Sequence, residues 1–194
     1  MKPPLRQGSP NDFQTPPEAL APLYPYLKKE WMIWECAAGQ GKLVRELESK
    51  GYSVHGSDIL DGCDFLSYSP PQFDCIITNP PYSIKQKFLG RCYGLGKPFA
   101  LLLPLTTFET AKRQDLFKRH GLEVVFFDKR INFHTPSGRG SGSWFATAWF
   151  TWGLEIGKEM TWAKLGVAPV ECWKLADSGA VQEAWKLQHE RKKQ

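Results

Sequence analysis

The feature that most constrains this chain is a repeated switch of hydrophobic period, in which short apolar runs alternate with amphipathic stretches of helical length. "WMIWEC" (31–36) reads as a buried strand, "GKLVRELESKG" (41–51) as a helix stopped by Gly51, and "YSVHGSDI" (52–59) as a second strand. "FDCIIT" (73–78) is a strand entered from the Pro70-Pro71 turn, and "SIKQKFLGRCYGLG" (83–96) puts Ile84, Phe88, Leu89 and Cys92 on one helical face. "PFALLLPL" (98–105), "FETAKRQDLFKRHG" (108–121), "LEVVFFD" (122–128) and "SWFATAWFTW" (143–152) continue as strand, helix, strand and strand. Strands alternating with helices in this way predict an α/β fold, a parallel sheet with helices on both faces.

Outside that pattern, residues 1–12 are rich in Pro, Gly and polar side chains and predict a flexible tail. "TPPE" offers Thr15 as helix N-cap, Pro16 at the first helical position and Glu18 where a capping box wants it. Pro22 and Pro25 predict short turns after it. Residues 153–194 form a C-terminal extension, with a helix predicted over about 178–192 whose Val181, Ala184, Trp185 and Gln188 share a side.

A chain of 194 residues suits one domain with a full core. The five cysteines (Cys36, Cys63, Cys75, Cys92, Cys172) make no CxxC pair, which argues against a disulfide framework and a zinc site. "MKPPLRQGSPND" lacks the apolar core of a signal peptide, and no run is long enough to span a bilayer, so a cytoplasmic location is expected. The net charge of +5 is compatible with a polyanionic partner without requiring one, and much of the excess lies in the closing "HERKKQ".

The first strand runs into "ECAAGQG", with Glu35, Gly39 and Gly41 ahead of a helix. In a doubly wound sheet this turn meets the ligand, because glycine lets backbone approach it closely. The second strand ends in Asp58, 17 positions after Gly41, where a carboxylate can accept both hydrogen bonds of a ribose diol. Val44 stands where a dinucleotide fingerprint wants its third glycine, and there is no GK[ST] phosphate loop. A nucleoside ligand without pyrophosphate suits S-adenosylmethionine, with Glu35 near its methionine amino end.

"IITNPPYS" (76–83) is the third constraint. Asn79 and Pro80 each precede a proline and are pushed toward extended backbone, and neither Pro80 nor Pro81 has an N–H. The corner therefore exposes carbonyls without adjacent donors at the carboxyl end of a central strand. An exocyclic amine such as adenine N6 donates two hydrogen bonds, which the Asn79 side-chain oxygen and the Pro80 carbonyl can accept. Acceptors that hold those hydrogens out of the ring plane favour the tetrahedral, positively charged nitrogen that forms as a methyl arrives. Tyr82 offers a face for a planar substrate. The pairs at Pro16-Pro17 and Pro70-Pro71 lack the preceding Asn and following aromatic, and read as plain turns.

On these residues the sequence resembles the class I S-adenosylmethionine-dependent methyltransferases, and among them the compact N6-adenine DNA methyltransferases of phages and prophages. "DFQTPPEAL" (12–20), "WECAAGQGKL" (34–43), "GSDI" (56–59), "DF" (64–65), "IITNPPYS" (76–83) and "LLLP" (101–104) carry it, over about 13–152. The resemblance implies a Rossmann-like doubly wound, mostly parallel seven-stranded sheet with an antiparallel last strand, in a catalytic domain over 13–152. It implies S-adenosylmethionine as cofactor, DNA as partner, no metal, and a monomer serving restriction-modification or regulation. Thr15 and Pro16 would line the methionine end of the cofactor together with Glu35, Gly39 and Gly41. Asp58 would hold the ribose, Ile59 would flank the adenine, and Asp64 with Phe65 would meet the adenine amino group. Asn79, Pro80, Pro81 and Tyr82 would form the catalytic corner, with Ser83 beside it. Phe133 in "RINFH" would either stack on the target base or fill the core.

Two departures stand out. Residues 37 and 38 are both Ala where the family's turn has its first glycine, and with residues 153–194 alone after the last predicted strand, no separate target-recognition domain is expected. Sequence reading would then fall to short elements: the loop "HTPSGRGSGS" (134–143) with Arg139, the helix bearing Lys112, Arg113, Lys118 and Arg119, and the tail. The loop reads equally as a nucleic-acid clasp or a linker. Trp162, Trp173 and Trp185 beside lysines read as anchors to the body or as stacking platforms. RNA-base and protein-glutamine methylation share the same hydrogen-bonding problem, and a non-catalytic binding module on this fold is the reading of a different class.

Overall fold

A computed structural model describes residues 14–133 and 145–168. The elements follow as β1 (Met32–Glu35), α1 (Lys42–Ser49), β2 (Ser53–Gly56), β3 (Cys75–Thr78), α2 (Lys85–Leu95), β4 (Phe99–Pro104), α3 (Ala111–His120), β5 (Glu123–Phe127), β6 (Thr147–Trp152) and β7 (Met160–Ala163). Among the described residues the strands form one seven-stranded sheet in the order β2-β1-β3-β4-β6-β5-β7. Every pairing is parallel except those of β6, which runs antiparallel to both β4 and β5. The fold is thus the expected α/β sheet, mostly parallel with one reversed strand.

The pleat explains the sequence runs. β3 and β4 are buried along their whole length, so "CIIT" and "FALLLP" read as unbroken apolar stretches. Alternate residues point to opposite faces. Ile33, Ile77, Leu102 and Trp149 pack one face with Leu47 and Leu20, while Trp34, Ile76, Leu101 and Phe150 pack the other with Phe88 and Leu89.

Three local expectations change. The antiparallel strand is β6, but it is not the last: "MTWA" adds β7 beside β5, where the hydrophobic pattern of four residues is too short to announce a strand. The Val124 N–H donates to the Glu159 carbonyl at 2.8 Å and the Asp128 N–H to the Ala163 carbonyl at 2.9 Å, locking that edge at both ends. Second, Thr15 caps no helix. A 3-10 helix runs over Pro17–Tyr26, Pro16 holds the cap position without a side-chain hydrogen bond, and Thr15, placed before a proline, turns inward and is buried. Third, the segment before α3 is a 3-10 turn (Leu105–Glu109), so the helix starts at Ala111.

The connection from β2 to β3 crosses β1 over residues 57–74 with no α-helix, only a 3-10 turn at Ile59–Asp61. Its apolar side chains lie on Trp34, whose ring centroid is 5.2 Å from that of Phe65 and 4.9 Å from that of Phe73.

Candidate active site

β1 is followed in space by β2 on one side and β3 on the other, so the sheet reverses its winding between β1 and β3. Open α/β sheets bind ligands outside the carboxyl ends of the strands at such a point. There a cleft of about 480 Å³ opens. It is lined by Glu35 at the end of β1 and Gly39 after it, Asp58 and Ile59 after β2, Asp64 and Phe65 from the crossover, and Asn79, Pro81 and Ser83 after β3. Thr15 closes it from the 14–16 segment. Ten residues chosen for a nucleoside ligand and an amine acceptor thus line one cleft, though they come from five separate stretches of chain.

Hydrogen bonds fix the shape. Gly39 and Gly41 take positive φ values of 50° and 71°, and the Gly41 N–H donates to the Ala38 carbonyl at 2.7 Å, closing a tight turn. The Ser57 N–H donates to the Glu35 carbonyl at 2.9 Å and the Ala38 N–H to the Ser57 carbonyl at 3.0 Å, so the ends of β1 and β2 are stitched together. The Trp34 indole N–H adds a bond to the Ser57 hydroxyl at 2.8 Å. Asp58 accepts from the Gly39 N–H through Oδ2 and from the Leu60 N–H through Oδ1, each at 2.9 Å. Asp64 accepts from the Leu66 N–H through Oδ1 at 2.9 Å. Each carboxylate oxygen has more than one lone pair, so acceptor capacity remains toward the cleft.

Glu35 is 1% exposed. Burial pushes its carboxyl up from 4.5 to about 7; the Thr78 hydroxyl and the Ala37 N–H pull the other way, and the Asp58 charge adds to the rise. The Ala37 N–H reaches Oε1 at 3.0 Å. A buried carboxyl raised toward neutrality in a cleft makes Glu35 a candidate functional residue. Cys36 also lines the cleft, but burial pushes its thiol well up and makes it a packing group.

Other expected residues sit elsewhere. Pro16 and Pro80 are buried and are not part of the cleft lining, and Gly41 serves as the N-cap residue of α1. Tyr82 is outside the cleft lining; burial pushes its phenol strongly up, and its ring meets Phe145 edge-on with centroids 5.6 Å apart. Phe133 is 2% exposed inside the core with Trp149 and Ile131, so of its two readings the core one describes this structure. Arg113 is no free cation: it is buried, with Nε bonded to the Thr107 carbonyl and Nη2 to the Thr106 carbonyl at 3.2 Å. α3 runs from the carboxyl edge of the sheet back toward the opposite one, so Lys112 lies toward the carboxyl edge and Lys118 and Arg119 toward the other. Arg139, the 134–143 loop, Cys172, Trp173, Trp185 and the helix predicted in the tail lie outside the described residues.

The sequence reading missed Gln14, Lys42, Leu60, Ile84 and Phe88 in the lining. Gln14 had a usable signal, since it adjoins Thr15, and its amide lies 3.0 Å from where a Cβ on Gly39 would stand. Phe145, half-buried two residues before β6, was hidden within an apolar run. Among the described residues no group of three or more His, Cys, Asp or Glu side chains could hold a metal ion, and no helix is long and apolar enough to cross a membrane.

No family model and no curated protein matches the sequence. Solved structures do resemble it. The methyltransferase subunit of a type I restriction-modification system from Streptococcus thermophilus superposes with a TM-score of 0.53 at 17% identity, over 80% of this chain and 48% of that one. A modification subunit of a putative type I restriction enzyme from Vibrio vulnificus gives 0.47 at 15% identity, over 75% and 45%. A dimethyladenosine transferase from Plasmodium falciparum gives 0.45 at 12% identity, over 72% and 62%. The chain spans about half the length of the first two. At such identities the likeness speaks for architecture, and the chain has the class I methyltransferase fold.

Proposed function

We propose that this protein transfers a methyl group from S-adenosylmethionine to an exocyclic amine, adenine N6 in DNA. The observation that carries the reading is that Asn79, in an Asn-Pro-Pro-Tyr corner, opens into the same cleft as Glu35, Gly39 and Asp58. The cleft's volume lies within the range of about 300–1,000 Å³ typical of small-molecule sites.

The donor set fits the cofactor. Asp58, with spare acceptor capacity beside a glycine turn, suits the ribose hydroxyls, and Glu35 suits an ammonium. Asp64 suits an exocyclic amino group, and Phe65 and Ile59 offer apolar surface for a purine. When bound, S-adenosylmethionine supplies an electrophilic methyl on a sulfonium. The chain's own task is to hold the amine nitrogen with its lone pair directed at that methyl. The Asn79 oxygen accepts one of its hydrogens. The Pro80 carbonyl, at the same corner although Pro80 is not part of the cleft lining, is the candidate acceptor for the other. As the C–N bond forms the sulfonium C–S bond breaks, and one hydrogen then leaves as a proton to solvent. No strong general base is required.

Tyr82 and Phe145 form an aromatic pair beside this corner and are the candidates for contact with a planar base. They replace Phe133 in that role. A DNA substrate is supported by the restriction-modification role named for the similar Streptococcus thermophilus subunit.

The test is methyl transfer from labelled S-adenosylmethionine to duplex DNA, single-stranded DNA and RNA, followed by digestion to nucleosides, with Asn79→Ala alongside. N6-methyladenine in DNA that disappears in the variant supports the reading. Label in RNA or protein alone redirects the substrate. Cofactor binding without transfer to any of them leaves a binding module.

A further inference from the structure

The β2-to-β3 crossover contains no α-helix, so its backbone carbonyls need donors from elsewhere. Arg91, on α2, supplies two of them. Its Nη1 donates to the Leu66 carbonyl at 3.2 Å, and its Nη2 to the Tyr68 carbonyl at 3.0 Å and the Ser69 hydroxyl at 2.9 Å. The guanidinium carbon also lies 5.4 Å from the centroid of the Phe65 ring, within cation–π range. From the same helix, Phe88 stacks on Phe65 with centroids 4.4 Å apart. α2 begins at Lys85, directly after the Asn79–Ile84 corner. One short helix is therefore tied at its start to the acceptor corner, and nearly two turns later to the segment bearing Asp64 and Phe65.

We propose that Arg91 is a positioning residue that holds Asp64 and Phe65 in register with Asn79. The inference rests on the function proposed above. The turn it grips is the one that aims Asp64. The Asp64 Oδ1 accepts from the Leu66 N–H, and the Asp64 carbonyl accepts from the N–H groups of Ser67 and Tyr68 at 2.9 and 2.7 Å. The residues that orient the carboxylate are the ones that Arg91 anchors. Guanidinium geometry matters here, because a planar fork can bridge two carbonyls while keeping one face on an aromatic ring, and an ammonium cannot.

The experiment compares wild type, Arg91→Lys and Arg91→Ala by calorimetric titration with S-adenosylhomocysteine, thermal melts without ligand, and steady-state kinetics on DNA. The expected result is a Kd for the probe weakened on the order of tenfold in both variants, as for loss of a residue that positions binding groups. The cofactor KM should rise in parallel, and kcat at saturating cofactor should fall as well, because the cofactor then sits out of register with Asn79. If Kd and KM keep their wild-type values while only the melting temperature falls, Arg91 is a structural latch and the inference fails. Full rescue by Arg91→Lys overturns the fork argument, and that variant also serves if Arg91→Ala does not fold. A wild-type protein that binds no S-adenosylhomocysteine sinks the underlying functional reading, which separates that failure from one confined to Arg91.

Discussion

Asp58 grips Gly39: the glycine N–H donates to Asp58 Oδ2 at 2.9 Å, tying the turn after β1 to the acid after β2. The second oxygen caps the 3-10 turn at Ile59 through the Leu60 N–H. One carboxylate therefore shapes two walls of the cleft before any ligand arrives.

This double duty predicts two separable losses in Asp58→Ala. Two backbone donors lose their partner, at a cost of about 1–2 kcal/mol of stability, because they are only partly buried and water can replace some of the bonding. Affinity for S-adenosylhomocysteine should fall further than that stability loss implies, since the proposed ribose contact would go too. Denaturant melts and calorimetric titration measure the two effects. Unchanged affinity with reduced stability would confine Asp58 to the turn.

The buried carboxyl of Glu35 predicts a pH dependence. Its ordinary pKa of 4.5 holds in the unfolded chain and about 7 in the folded one, so the folded state binds the proton more tightly. The stability associated with Glu35 is complete below about 4.5, declines as pH rises through about 7, and is flat above. The full span amounts to roughly 3 kcal/mol. Relative to wild type, Glu35→Gln should gain stability between pH 5 and pH 8, measured as the difference of two melts. Ligand binding runs the other way: an ammonium prefers the ionised carboxylate, so the wild-type Kd for S-adenosylhomocysteine should improve from pH 6 to pH 8. The Glu35→Gln profile should lack that step.

Much of this architecture was legible because burial writes itself into composition. β1, β3 and β4 are largely buried and appear as apolar runs, with the glycine turn at the end of β1, the Asn-Pro-Pro-Tyr corner at the end of β3, and Asp58 just past the neighbouring β2. What was not legible depends on long-range contact. β7 exists because β5 offers an edge to pair with, and "MTWA" carries too little pattern of its own. The helical spacing of α3 marked Arg113 as one cation among four, and only the carbonyls of Thr106 and Thr107 make it structural. Phe133 and Phe145 are equally aromatic in sequence; the packing of Trp149 and Ile131 takes the first into the core and leaves the second beside Tyr82.

That difference between the two phenylalanines is testable. Phe133→Ala empties a fully packed position and should cost about 3–5 kcal/mol in a denaturant melt. Phe145→Ala removes a half-buried ring and should cost less, while lowering kcat/KM for DNA with little change in cofactor affinity. If Phe145→Ala left kcat/KM at the wild-type value, the Tyr82–Phe145 pair would have no part in holding the base.

The course of α3 separates its cations by role. Lys112 at the start of the helix and Lys129 just past the end of β5 are exposed at the carboxyl edge, whereas Lys118 and Arg119 are exposed at the far end of the helix, beside the turn into β5. On the proposed function, a DNA backbone drawn to the carboxyl edge would meet the first pair and pass the second by. Removing one cation that neutralises a phosphate reduces the slope of log K against log salt by about 1. Lys112→Ala and Lys129→Ala should each flatten that slope and weaken DNA binding without sequence preference. Lys118→Ala and Arg119→Ala should leave both slope and affinity near wild type. Fluorescence anisotropy with a labelled duplex across a salt series measures all four. A flattened slope for the second pair instead would place the duplex across the opposite edge of the sheet, away from Asn79, and would separate DNA binding from the proposed chemistry.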